Sequence, residues 1–185
     1  MKKRKLGTKV IILMVVFSLL IIVSTCIAVV VRYRADALER SRGQAFAYAK
    51  TAAAYIDGDR IEGYLTTLQK DDYYKEVENF LNASQDYSDL KYYYVYVPYE
   101  EDLVYIWDAD EEEGACELGD HEDYMKGGKE VSFAAFQKEP EERALVSMDE
   151  TYGFITSVVA PVYNSNGDPV ALVGVDISMP GVWQS

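Results

Sequence analysis

The chain opens on a run from Val10 to Val31 in which 22 consecutive residues carry no charge (VIILMVVFSLLIIVSTCIAVVV). At about 1.5 Å per helical residue such a run covers the roughly 30 Å hydrocarbon core of a bilayer, so it predicts a transmembrane helix over 10–31. The apolar positions then continue: Ala35, Leu38, Ala45, Phe46, Ala49, Ala52, Ala53 and Ile56 recur at three- and four-residue steps, the period of one helix face. The pattern predicts one long helix that leaves the membrane and runs to about Ile56, where Asp57-Gly58 supplies a stop. Its alanine-rich stripe suits packing on a sheet of the same chain and also a homodimer through the long N-terminal helix.

Two shorter helices are expected next, over about 59–69 and 71–84, the second with Tyr73, Val77, Phe80 and Leu81 on one face. At Leu90 the period changes. KYYYVYV (91–97) and LVYIWDA (103–109) are β-branched and aromatic and are joined by the five-residue connection 98–102, which reads as a hairpin. Residues 110–128 read as a long loop rich in Gly and acids, followed by a helix over about 129–137. Strands over about 144–148, 153–163 and 169–179 follow, the last two joined by Asn164-Ser165-Asn166-Gly167, a strong turn signal. The sum is an α+β fold with the N-terminal helix packed on an antiparallel sheet of about five strands.

Charge orients this arrangement. Lys2, Lys3, Arg4, Lys5 and Lys9 precede the span with no acid among them, which predicts a cytoplasmic tail at 1–9 and an extracytoplasmic domain at 32–180 of a plasma-membrane protein. A cleaved leader or a lipidated Cys26 fits less well, because the apolar run continues through Ile27 to Val31 beyond the processing point. Residues 32–185 hold 13 basic against 31 acidic side chains, a net charge of −18. That field argues against nucleic acid and anionic lipid headgroups as partners and favours cationic or zwitterionic solutes. Of two cysteines, Cys26 lies in the span and Cys116 in the acidic loop, so no internal disulfide is expected.

Candidate chemistry is sparse. There is one histidine, His121, with no G-x-S-x-G elbow, P-loop or G-x-G-x-x-G, so neither a nucleophile nor a nucleotide cofactor is expected. Asp108, Asp110, Glu111, Glu112 and Glu113 offer carboxylates without the spacing of a calcium loop, and no metal site is assigned. Tyrosine is the outstanding feature, 16 of 185 residues. Strict alternation places Tyr92, Tyr94 and Tyr96 on one face of their strand and Tyr105 and Trp107 on one face of the next. Such rings form either a cross-strand ladder or the walls of a pocket. In VALVGVDISM (170–179) one face is wholly apolar (Ala171, Val173, Val175, Ile177, Met179) and wants a helix. The other carries Asp176 in mid-strand, two residues from Gly174, and a buried acid needs a cation, a hydrogen-bond network or a ligand.

The segment SVVAPVYNSNGDPVALVGVDISM (157–179) resembles the closing hairpin of the extracytoplasmic Cache sensor domains, PAS-like input modules of bacterial transmembrane receptors, including their G-x-D-[IL]-S ending. The resemblance extends in outline over 32–180. It implies a PAS-like sheet and ligand sensing. In amino-acid-binding members an acid of the terminal strand holds the ligand ammonium, which Asp176 matches. An Arg two residues before a Trp holds the carboxylate, but here that position is Tyr105, and no arginine lies between Arg60 and Arg143. An amine or another polar solute is therefore implied as much as an amino acid.

The expected function is small-molecule sensing by the input domain of a membrane receptor, without catalysis by this chain. Tyr94, Tyr96, Trp107, Asp108, Tyr124, Tyr152 and Asp176 are the expected pocket residues. Such receptors continue into a second membrane span and a cytoplasmic effector, and residues 181–185 read as the approach to that span. Two rival readings are a ligand-free structural or partner-binding ectodomain and a membrane-tethered hydrolase built on His121 and the acidic loop.

Overall fold

A computed structural model of the chain describes residues 2–86, 90–109, 115–149 and 153–178. The expected pocket residue Tyr152, the acidic stretch 110–114 and the approach at 181–185 lie outside them. The chain divides into two compact units, residues 1–39 and 40–185. In the first, α1 (Lys2–Tyr55) begins. Its apolar run is fully exposed, and it is the one helix among the described residues long and apolar enough to cross a membrane.

The second unit is an α+β domain, as the hydrophobic pattern predicts. A six-stranded antiparallel sheet holds β1 (Leu90–Pro98), β2 (Leu103–Asp108), β3 (His121–Glu122), β4 (Ala144–Asp149), β5 (Gly153–Tyr163) and β6 (Pro169–Ser178) in the order β3-β2-β1-β6-β5-β4. The two centremost strands are thus the first and the last. The expected count of about five is short by β3, whose two exposed polar residues carry no hydrophobic alternation.

One face of the sheet is covered by the C-terminal part of α1, by α2 (Ile61–Thr67) and by α3 (Asp72–Asp86). Ala45, Ala49 and Ala52 of α1 are fully buried and join one core with Ala171, Val173, Val175 and Ile177, so the apolar face of β6 meets the helix its sequence requires. Each buried Val or Ile there contributes about 1.5–3 kcal/mol of transfer free energy. On α3 the fully buried stripe is Tyr74, Val77 and Leu81, with the expected Tyr73 and Phe80 partly buried against the same core, and the Tyr73 hydroxyl accepts from the Asp57 N–H at 2.7 Å.

Local signals explain the remaining geometry. Asn164 Oδ1 accepts from the backbone N–H of Asn166 and Asp168 while Gly167 takes φ +76°, closing the β5–β6 turn. Pro161 sits inside β5 beyond the end of the β4 pairing at Val158, opposite Leu172 of β6. Between β1 and β2, one step from Val95 to Tyr96 is matched by two steps from Trp107 to Tyr105. The extra residue, Ile106, makes a bulge and reverses the alternation beyond it.

Candidate functional site

The opposite face of the sheet carries a second, smaller cluster under α4 (Gly128–Ala135): Tyr96, Leu103, Tyr105, Val159 and Leu172 with Ala135. Between this face, α4 and the segment 122–128 lies a cavity of about 100 Å³. Tyr94, Tyr96, Tyr105 and Tyr124 form its aromatic walls, and Leu103, Val131, Leu145 and Val159 its aliphatic ones. Its polar groups are Glu122, Asp123, Ser132 and Ser157, and none of the described residues lining it is basic.

Each wall has a positional cause. Tyr94 and Tyr96 stand on β1 two residues apart, with ring centroids 5.8 Å from each other. Tyr94 pairs with Gly174 across the β1–β6 ladder, and its ring lies over that glycine so closely that a Cβ there would fall 2.3 Å from Cε2. Glycine at 174 therefore makes the position of the ring possible. The Tyr96 hydroxyl meets Ser132 Oγ at 2.7 Å, joining the sheet to α4. Tyr105 donates to Glu122 Oε2 at 2.8 Å and so anchors β3's carboxylate beside the cavity. Tyr124 donates to the Tyr99 carbonyl at 2.7 Å, and Lys129 reaches Glu100 at 3.1 Å, which together tie the entrance of α4 to the β1–β2 turn.

Asp176, on β6, does not itself line the cavity. Only 4 % of its surface is exposed, and it stands between Tyr92 on β1 and Ser157 on β5. Burial pushes its carboxyl up to about 7, the nearby Ser157 hydroxyl offsetting part of the effect. Ser157 lines the cavity and is 7 % exposed. Neither Ser157 Oγ nor Asp176 Oδ1 has a hydrogen-bond partner among the described residues, which marks the pair as polar capacity held in reserve. Burial, and then the negative field of Asp176, keeps the Tyr94 hydroxyl well above the ordinary phenol range. Burial raises Tyr124 to about 12. All these phenols are neutral donors at physiological pH.

The expected pocket residues separate into groups. Tyr94, Tyr96 and Tyr124 line the cavity, and Asp176 does not, although it pairs with the lining residue Ser157 across the β5–β6 ladder. Trp107 is a correction: the bulge at Ile106 turns it to the helix-covered face, where it is 1 % exposed, stacks on Tyr74 at 5.0 Å and donates to the Tyr74 carbonyl. Asp108 lies opposite Tyr94 but does not line the cavity, and its Oδ2 accepts from the Cys116 N–H at 3.0 Å. Tyr105, Glu122, Asp123 and Ser157 were not among the expected residues. For Ser157 the turn alone misleads: counting outward from Asn164–Gly167 sets it opposite Gly174, and the register shift at Val162/Tyr163 brings it opposite Asp176. His121 is 63 % exposed on β3, with Nδ1 2.6 Å from Asp102 Oδ2, and does not line the cavity.

No protein-family model and no curated protein matches the chain. Among solved structures, the ligand-binding domain of the Campylobacter jejuni chemoreceptor Tlp3 in complex with L-valine is similar at 12 % identity and a TM-score of 0.48, over 80 % of this chain and 57 % of that one. The chain thus spans little more than half the length of that structure.

Proposed function

We propose that the unit over residues 40–185 is the extracytoplasmic input domain of a membrane receptor, and that the cavity under α4 binds a small amine-bearing solute. One observation carries this reading: a mid-strand acid and the serine opposite it on β5, both more than nine-tenths buried, keep an oxygen each without a partner among the described residues, and the serine lines an aromatic cavity with no basic group among its described lining residues. A buried carboxylate left that way is costly, and a cationic ligand removes the cost by supplying charge and N–H donors together. The tyrosine rings suit the same ligand through their π faces. A cavity of about 100 Å³ is small beside the ~300–1,000 Å³ typical of drug-sized sites, which favours a compact solute over a nucleotide or an oligosaccharide.

The resemblance of 157–179 to the closing hairpin of Cache domains supports the same assignment. In this reading the domain performs no chemistry. The exposed apolar stretch of α1 anchors it in the membrane with the N-terminal tail in the cytoplasm, and α1 is the output path, its two arrangements biased by ligand. Thermal unfolding of the full chain in detergent, screened against amines, amino acids and organic acids, tests it. A ligand present at about 100 times its Kd stabilises by roughly 2.7 kcal/mol, so amines are expected to raise Tm and Asp176→Ala to abolish the rise. An unchanged Tm across the library favours a ligand-free ectodomain instead.

A further inference from the structure

The described residues lining the cavity bring six hydroxyls, those of Tyr94, Tyr96, Tyr105, Tyr124, Ser132 and Ser157. Four are committed within the protein: Tyr96 and Ser132 meet at 2.7 Å, Tyr105 donates to Glu122 at 2.8 Å and Tyr124 to the Tyr99 carbonyl at 2.7 Å. Ser157 stands opposite Asp176 on the β5–β6 ladder. The Tyr94 hydroxyl remains, with no hydrogen-bond partner among the described residues. Unlike the Ser157 oxygen it is not sealed among protein atoms, so the space it meets is the cavity its own ring lines.

The fold builds this position. Tyr94, Gly174 and Val159 form one row across β1, β6 and β5, and the side chain missing at Gly174 lets the tip of the ring, Cε2 and Cζ, lie over β6. Tyr96 and Tyr105 flank the ring, each with its centroid 5.8 Å away. Burial keeps the phenol protonated, so it brings a proton that needs an acceptor. An ammonium can donate to the phenol oxygen but has no lone pair to take that proton, and a ligand that displaces water without supplying an acceptor leaves the donor unmet. Resting on the amine-binding reading above, we propose that the ligand carries, besides its ammonium, an uncharged acceptor oxygen, a hydroxyl or an ether, bound by the Tyr94 hydroxyl. Tyr94 is then a specificity-determining residue that selects the second functional group of the solute. A carboxylate oxygen would accept as well, but it would enter a cavity lined by Glu122 and Asp123, with no basic group among the described lining residues to receive it.

Calorimetric titration of the full chain in detergent with n-butylamine, propanolamine and methoxyethylamine tests this, because the three chains are equal in length, all carry an ammonium at neutral pH, and only the last two carry an oxygen. In an aromatic cavity that offers the oxygen no donor, n-butylamine binds most tightly, since it sheds the least hydration. The Tyr94 contact predicts the reverse order, with the better of the two oxygen-bearing amines binding at least about fivefold more tightly than n-butylamine. Tyr94→Phe, which keeps the ring over Gly174, should bring that ratio down to about one or below. An advantage that survives in Tyr94→Phe overturns the assignment to Tyr94. Tightest binding of n-butylamine to the wild type overturns the acceptor oxygen and leaves the amine site standing, and binding of none of the three overturns both readings.

Discussion

On the sheet face covered by α1, α2 and α3, most polar atoms of the buried aromatic residues are bound to backbone: Tyr93 donates to the Tyr48 carbonyl, Tyr74 to the Ile106 carbonyl and Trp107 to the Tyr74 carbonyl, while Tyr64, at the edge, donates to Asp71 Oδ1. On the face covered by α4 the hydroxyls of Tyr96 and Tyr105 meet side chains, and beside them Ser157 and Asp176 each keep an oxygen without a described partner. The same strands supply both faces. Backbone partners cannot move without unfolding, so the first face is built for stability. Side-chain partners can be exchanged, so the second can trade a contact with itself for a contact with a solute.

The largest effect should come from breaking the first face. Trp107→Ala removes a fully buried ring stacked on Tyr74 and is expected to cost about 3–5 kcal/mol in chemical denaturation. Had Trp107 stood in the cavity, the loss would fall on ligand affinity instead.

Next in size is Asp176, with the opposite sign. The folded carboxyl sits near 7 against an ordinary value of 3.8, so between those pH values the folded state binds more protons than the unfolded one. The contribution of Asp176 to stability therefore falls as pH rises from about 4 to about 7 and then levels, by up to about 4 kcal/mol at ~1.4 kcal/mol per pH unit, while acids held low, such as Asp71, contribute with the opposite sign. Asp176→Asn should remove that slope, matching the wild type near pH 4 and exceeding it at pH 8. A stability difference between the variant and the wild type that stays constant from pH 4 to pH 8 contradicts the burial of this acid.

Gly174→Ala is expected to cost about 1–2 kcal/mol, because the new methyl displaces the Tyr94 ring tip rather than backbone, while amine affinity falls at least about tenfold. Smallest is Tyr96→Phe, which leaves Ser132 Oγ its bond to the Gly128 carbonyl and should cost about 1 kcal/mol in thermal unfolding.

These outcomes bear on what the amino-acid pattern could reveal. The split of β6 into a helix-facing Val173/Val175 row and an opposite row with Asp176 is legible, because β6 itself runs without an extra residue there; the shift in its pairing with β1 falls between Leu90 and Tyr92 of β1. The same alternation misplaces Trp107, because one extra residue in β2 reverses every side chain past it, and nothing in LVYIWD signals the insertion. Glu122 and Asp123 were illegible for another reason: β3 is two exposed residues long, and its place at the sheet edge is set by pairing with Leu103 and Val104. Tyr94, Tyr96 and Tyr124 were found as an excess of amphipathic rings, and their convergence with Ser157 required the sheet to be closed in space.

The central claim is that Asp176 takes the positive charge of an amine, and proton release on binding tests it most directly. Calorimetry of n-butylamine binding to the full chain, repeated in buffers of different ionisation enthalpy, should show close to one proton released per site at about pH 6 and almost none at about pH 9. The ammonium binds the carboxylate and the displaced proton goes to buffer. Asp176→Asn should release none at either pH. Binding without proton release at the lower pH, or with the same release in the variant, would contradict the account.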